Sequence, residues 1–349
     1  MENHFVLYGA NGYTGELIAR LSSAYGLRPL LAGRNESSIG ALAKELNLDY
    51  AIADLENPTA LDQLLDGHQL VLHAAGPFSK TAKQMVEACL RNKTHYIDIN
   101  GDISCFELVK TFNDIAKSTD CMLMPGVGFD VVPTDSVAKK ISEIFPNTID
   151  LKLAFASIGS TISHGTATTM TEKLGEGGAK RVNGKIVSAP LGEHSMWIDF
   201  GKKNLFVMSI PWGDVSTAHH TTGIPNIETF FGVKPAVYKW MKAQRFFNWI
   251  LKMEVVRNII KKRIDQRPAG PDEKMRTEGI SLVWGKGTNA EGESKTIRLK
   301  GPEGYTFTAH ASLIIACEIL KGNWKPGYQT PAGCYGSDLV LKVPGVSFY

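Results

Sequence analysis

His4-Phe5-Val6-Leu7-Tyr8-Gly9-Ala10-Asn11-Gly12-Tyr13-Thr14-Gly15-Glu16-Leu17-Ile18-Ala19 is the stretch whose reading decides the fold. An apolar run of the length of a buried strand leads straight into three glycines spaced three apart. A helix-period segment follows, with Leu17, Ile18 and Leu21 on one face. Strand, glycine turn and helix in that order are the setting that a dinucleotide-binding fingerprint requires. In this reading Gly9 permits the tight turn, Gly12 lets backbone N–H groups approach a pyrophosphate, and Gly15 lets the helix sit close to the sheet. The N–H groups and positive dipole end of the helix favour phosphate at that point. The spacing is G-x-x-G-x-x-G rather than the stricter G-x-G-x-x-G, so the position directly after the first strand carries the reading. The alternative is a glycine-rich turn without a ligand.

Outward from this loop, the first ~130 residues alternate strand and helix patterns, which predicts a doubly wound parallel sheet. Strands are expected at Arg28 to Gly33, Tyr50 to Ala53, Leu70 to Ala75, Tyr96 to Ile99 and Cys121 to Met124. Helices are expected at Ser37 to Leu46, after the Asn57-Pro58 cap, at Thr81 to Arg91 and at Phe106 to Lys117. Ligands of such folds lie at the carboxyl ends of the strands, so Arg34, Asp54, Gly76, Asp98 and Gly126 are expected around one crevice. Strand two ends in Gly33-Arg34-Asn35 where an NAD site usually carries an acid for the ribose hydroxyl. A guanidinium there suits a 2′-phosphate, which favours NADP(H) as the cofactor. The expected cofactor-binding residues are Gly9, Asn11, Gly12, Tyr13, Thr14, Gly15, Arg34, Asn35, Asp54, Ala75, Gly76 and Pro77.

From Pro125 the pattern changes. Pro125-Gly126-Val127-Gly128-Phe129-Asp130-Val131-Val132-Pro133 is a shaped loop, and a helix is read from Ser136 to Phe145. Strand-like runs then gather at Leu151 to Ser157, Leu205 to Ile210, Ile280 to Trp284 and Lys295 to Leu299, with one helix near Thr166. This predicts an α+β second domain with a mixed or antiparallel sheet. The expected division is 1–130 for the dinucleotide-binding domain and 131–307 for a catalytic domain. The helix pattern from Ala309 to Lys321 leads the segment 308–349, which is expected to pack back on the first domain.

Together these pieces resemble the saccharopine dehydrogenase-like oxidoreductase family, in particular its short bacterial branch of trans-acting enoyl reductases. The resemblance lies in Gly9 to Gly15, Ala32-Gly33-Arg34, Ala75-Gly76-Pro77-Phe78, Tyr96 to Asp102, Pro125 to Asp135, Ser163-His164-Gly165-Thr166 and Gln329-Thr330-Pro331-Ala332. It is dense over 1–135 and sparse between about 180 and 300. It implies a Rossmann domain binding NADP and a catalytic domain with a β-sheet core, and leaves the substrate open. The implied activity is hydride transfer between NADP(H) and a C=C, C=N or C=O bond. The alternatives are a non-catalytic NADP(H)-binding sensor or scaffold, and an extended short-chain dehydrogenase. Enzymes handling amino-acid adducts need cations aimed at several carboxylates, yet 99–180 holds no arginine. An apolar small-molecule substrate is therefore expected. The catalytic candidates are Asp98, Asp130 and His164.

The bulk composition sets outer limits. The 349 residues are 43% hydrophobic and carry a net charge of +3, too little to make nucleic acid the partner. Five scattered cysteines without a C-x-x-C pair suggest reduced thiols, and no metal site is expected. With no leader pattern before the first strand and no spanning apolar run, the expected location is cytoplasmic. Tyr238 and Lys242 match Y-x-x-x-K, but a short-chain dehydrogenase places that pair soon after strand five, so the match is read as coincidence. Residues 234–263 hold nine Lys or Arg against Glu254 alone, a net +8. Phe246, Trp249, Ile250, Met253, Val256, Ile260 and Ile264 recur there at helical spacing. This segment, to residue 264, reads either as a core-packed helix with a solvated basic face or as a surface docking on anionic lipid or an acidic partner.

Overall fold

The apolar runs of the first third of the chain form the sheet that their alternation with helices requires. The computed structural model describes residues 3–349 other than 174, 245–247, 252 and 265. By its internal contacts the chain divides into two units, residues 1–132 with 305–335, and residues 133–304 with 336–349.

In the first unit the strands are β1 His4–Tyr8, β2 Arg28–Gly33, β3 Tyr50–Ile52, β4 Leu70–His73, β5 His95–Asp98 and β6 Met122–Met124. They pair in the order β3-β2-β1-β4-β5-β6, and Gly327–Tyr328 adds a seventh strand beyond β6. Every pairing is parallel. Tyr8 lies opposite both Ala32 and His73, so the central strands end level with one another at a single edge. Phe5, Val6, Leu7, Leu70, Val71 and Leu72 are all fully buried, as expected of parallel strands covered on both faces.

The helices between them are α1 Tyr13–Leu21, α2 Glu36–Leu46, α3 Pro58–Leu65, α4 Phe78–Asn92, α5 Ile103–Lys110 and α6 Asn113–Ser118. Local chemistry starts them: the Asn35 and Asn57 side chains each accept the backbone N–H three residues on, at 3.1 Å, and Pro58 opens α3. Leu61, Leu64 and Leu65 of α3 and Met85, Val86 and Cys89 of α4 turn inward into one core. The single helix expected from Phe106 to Lys117 is two. Thr111 closes the first by bonding Leu108 O at 2.6 Å, and Phe112 turns into the core at the break. The helix Gly304–Leu320 also belongs to this unit, except for Gly304 at its start, and buries Phe307, Leu313, Ile315 and Ile319.

The second unit is built on a mixed sheet. Its strands are β7 Asp150–Ile158, β8 Gly178–Val182, β9 Lys185–Ala189, β10 Ser195–Asp199, β11 Asn204–Ile210, β12 Asn226–Gly232, β13 Ile280–Thr288 and β14 Ser294–Pro302, with Ser347–Phe348 last. The order is β10-β11-β12-β7-β13-β14 and then Ser347–Phe348, with the β8–β9 hairpin attached to β12. Among the described residues only β7 and β12 run parallel. Helix α7, Val132–Ile144, lies on β13, where a Cβ at Gly285 would stand 2.4 Å from Val137 and one at Gly287 2.6 Å from Ile141. Further helices are α8 His164–Glu172, α9 Asp214–Thr222, α10 Pro235–Gln244, α11 Asn248–Leu251 and α12 Glu254–Ile264.

The expectation that all of 308–349 joins the first domain is corrected here. Residues 336–349 belong to the second unit, where Phe348 pairs with Leu299 at the sheet edge. A two-residue edge strand is too short to show a period in the sequence. Among the described residues no helix is long and apolar enough to cross a membrane.

Candidate active site

The Gly9–Gly15 loop joins β1 to α1, and its glycines have different reasons for being there. Gly9 has φ +84°, and a Cβ on it would lie 2.7 Å from Ala75 N in the loop after β4. At Gly15 a Cβ would sit 2.2 Å from Gly9 O, so the helix rests against the turn. Gly12 is different: it is exposed, and a Cβ would meet only Gly9 O at 3.3 Å. It caps α1 without a side-chain partner for the first N–H groups. The protein's own packing leaves space there, beside uncapped N–H donors, which fits a pyrophosphate approaching the backbone.

The neighbouring loops converge on the same edge. Arg34 is exposed directly after β2, and Asn35, expected as a cofactor contact, spends its side-chain oxygen capping α2. Asn11 Nδ2 donates to Ser38 Oγ at 3.0 Å, tying the glycine loop to α2. Asp54 folds back in a turn, accepting Glu56 N–H at 2.9 Å. Tyr13 stands edge-on to Tyr305, ring centroids 5.1 Å apart. Nothing in the sequence signalled Tyr305, which arrives from 292 residues later.

After β4 the Ala75-Gly76-Pro77 loop, with a cis Gly76–Pro77 peptide, is held from within α4. Thr81 Oγ1 donates to Ala75 O at 2.7 Å and meets His73 Nε2 at 3.0 Å, which assigns the imidazole proton to Nε2. Burial keeps His73 neutral, its pKa pushed down to about 3.

Asp98 and Asp130, both catalytic candidates, play different parts. Asp98 is fully buried at the end of β5. Its Oδ2 accepts Tyr96 O–H at 2.6 Å, and its Oδ1 accepts Asn100 N at 3.0 Å, Asn100 Nδ2 at 2.8 Å and Gly126 N at 2.8 Å. Burial pushes its pKa up while these donors pull it down. With four donors on it and no exposure, Asp98 is a brace between the loops after β5 and β6. Asp130 lies beside that brace: a Cβ on Gly101 would stand 2.7 Å from its Oδ2. Part of the residue is exposed, yet the carboxyl is enclosed by protein, and burial pushes its pKa up to about 7. Next to it Phe129 N–H donates to Thr308 Oγ1 at 3.0 Å, and the Phe129 ring stands 5.7 Å from that of Phe307.

The remaining candidates sit in the second unit. His164 opens α8, Ser163 caps that helix, and His164 Nε2 lies 2.6 Å from Arg267 O. Its ring is thus tied to a backbone carbonyl. Tyr238 and Lys242 are i and i+4 on α10, with Lys242 Nζ 5.0 Å over the tyrosine ring. Among the described residues, Glu193, His194 and Glu228 bring metal-type donors within 4.8 Å of one another. Lys180 lies 2.6 Å from Glu193 and His194 Nδ1 2.7 Å from Glu228, so each carboxylate already has a partner.

Residues 5–124 match the family model of the saccharopine dehydrogenase NADP binding domain. A trans-acting enoyl reductase of Mycobacterium tuberculosis (strain ATCC 25618 / H37Rv) is 30% identical over 142 residues, 38% of this chain and 34% of that protein. A saccharopine dehydrogenase-like oxidoreductase of Mus musculus is 27% identical over 152 residues, 38% of this chain and 35% of its own length. The similarity therefore spans about a third of those relatives. In fold the likeness is wider. Apo saccharopine dehydrogenase (L-Glu forming) from Saccharomyces cerevisiae superposes with a TM-score of 0.67 over 97% of this chain and 96% of its own, at 13% identity. Residues 5–124 are thus an NADP-binding domain of the saccharopine dehydrogenase type, in a chain whose fold matches that of a saccharopine dehydrogenase, and NADP(H) is its cofactor.

Proposed function

We propose that this chain is an NADP(H)-dependent oxidoreductase that reduces a C=C, C=N or C=O bond of an apolar small molecule, with Asp130 as the proton donor. The observation that carries the proposal is the placement of the Asp130 carboxyl against Gly101 at the strand-end edge where the NADP-binding loops converge, and burial there pushes its pKa up to about 7. A general acid is most effective when its pKa lies near the working pH.

Bound NADPH supplies the hydride. The open backbone at Gly12 and the N-terminus of α1 would hold its pyrophosphate, and Arg34 its 2′-phosphate. Ala75, Gly76 and Pro77, fixed by Thr81, border the same edge. Asp98 positions the two loops and leaves proton transfer to its neighbour. As one carbon of the double bond gains hydride, its partner atom takes the proton from the Asp130 carboxyl. The resulting carboxylate is reprotonated from solvent. The apolar side of the proposal is supported by half-buried Phe129 next to Asp130 in the chain, by the lack of arginine over 99–180, and by relatives that are named enoyl reductases.

The test is NADPH oxidation against a panel of enoyl thioesters, imines and ketones. One member of the panel turns over, and Asp130→Asn lowers kcat by about 10²-fold or more while NADPH affinity is kept. Arg34→Ala weakens NADPH by about tenfold to a hundredfold and leaves NADH unchanged. Tight NADPH binding with no turnover on any member would favour the sensor reading instead.

A further inference from the structure

The described residues of the basic stretch 234–264 include three short helices, α10, α11 and α12, in the second unit. The helical spacing seen in the sequence splits into two faces there. Val256 and Ile260 are half-buried and Ile264 is buried, so this row packs inward. Lys261 adds an ion pair at 3.2 Å to Glu172 of α8. Trp249 and Met253, from the same row, point out, and Phe246 lies outside the described residues.

The outward side is strongly apolar for a surface. Trp240 is 67% exposed, Trp249 69% and Val255 65%, and Val237, Met253 and Ile259 are exposed as well. Exposed Lys234, Lys239, Lys242, Lys262 and Arg263 alternate with them along the three helices. The segment as a whole carries +8 while the chain carries +3. Large apolar side chains standing among cations, on helices far too short to span, are the make-up of a helix lying in the headgroup layer of a bilayer. Indole rings favour that layer because one edge is polar and the body apolar. Lysines among them match the negative surface of anionic lipid.

We propose that α10, α11 and α12 form a peripheral docking surface for anionic membranes, with Trp240 and Trp249 entering the headgroup layer and the lysines reading its charge. Charge complementarity names the occupant: a neutral bilayer or a purely apolar partner gives no reason for eight net positive charges. The inference does not depend on the reaction assigned to the first unit. Membrane docking would bring the enzyme to substrates that partition into lipid.

The 349-residue chain should be sedimented with vesicles of phosphatidylcholine alone and of equal parts phosphatidylcholine and phosphatidylserine. Binding is expected to the mixed vesicles at least about tenfold more strongly than to the neutral ones, and to fall when salt shortens the Debye length to about 3 Å. The tryptophan emission should shift to the blue and be quenched by bromolipid. Trp240→Ala with Trp249→Ala should remove the quenching. Lys239→Glu with Lys242→Glu should lower binding by more than about tenfold. Unchanged NADPH titration in these variants shows that the fold is kept. No binding, equal binding to both vesicles, or double variants that bind like wild type would overturn the proposal. Salt-sensitive self-association in the ultracentrifuge without vesicle binding would do so too, and would make the surface a contact between copies of this chain.

Discussion

Gly15 has no room for a methyl group, whereas Gly12 has room on every side but one. A Cβ at Gly15 would overlap Gly9 O at 2.2 Å, and only backbone movement relieves that. Gly15→Ala is therefore expected to lower stability by about 1–3 kcal/mol or more in urea unfolding. Gly12→Ala should leave the unfolding midpoint within about 0.5 kcal/mol of wild type and still weaken NADPH, because the methyl occupies the approach of the phosphate. Equal stability losses at both sites would remove the distinction. Asp130 provides the second test at this scale. Its pKa rises from about 4 in the unfolded chain to about 7 in the folded one. The folded state thus binds the proton more tightly. The group's stabilising effect is whole below about pH 4 and is lost as the pH climbs to about 7. Thermal melting should show wild type losing Tm across that window relative to Asp130→Asn, which lacks the titration and should be the more stable at neutral pH.

At the scale of elements, the loop after β5 and the loop after β6 are one device because Asp98 spans them. Removing its carboxylate leaves Tyr96 O–H, Asn100 and Gly126 N–H without a common acceptor in a buried place. Asp98→Ala is expected to destabilise by about 3–5 kcal/mol. Since Asp98 positions rather than reacts, Asp98→Asn should keep the pH dependence of kcat that Asp130 sets, even at a lower rate. A shifted kinetic pKa would move Asp98 into the chemistry. The strands of the first unit were legible because parallel strands buried on both faces are continuous apolar runs, as in Phe5-Val6-Leu7 and Leu70-Val71-Leu72. In the second unit the buried runs at Leu151 and Leu282 were legible, and parts of β11 and of the more exposed β14 were read as well. Strand β9, at an edge and mostly half-exposed, has only Ile186 and Val187 between Lys185 and Ser188 and so shows no period. The break at Thr111-Phe112 went unseen because Phe112 fits the helical stripe that it ends.

Across the whole molecule, the cofactor loop could be read early because its chemistry is local: turn, cap and strand end lie within a dozen residues. The proposed reacting end is assembled from residues with no common sequence signal. Gly101 and Asp130 are brought together by the β5 and β6 strand ends, and Thr308 is brought to Phe129 by a helix more than 170 residues further on. Asp98 and Asp130 looked equivalent as strand-end acids, and only burial and donor geometry separated a brace from the proposed proton donor. The central claim joins that site to NADPH: hydride leaves the cofactor and a proton leaves Asp130 in the same turnover. It is tested most directly with NADPH deuterated at the transferring position of C4, incubated with the enoyl, imine and carbonyl panel and analysed by mass spectrometry. The account predicts one deuterium on the reduced carbon and one solvent-derived proton on its partner, with Asp130→Asn slowing product formation about a hundredfold or more. Full NADPH binding with no deuterium in any product, or an Asp130→Asn rate equal to wild type, would contradict it.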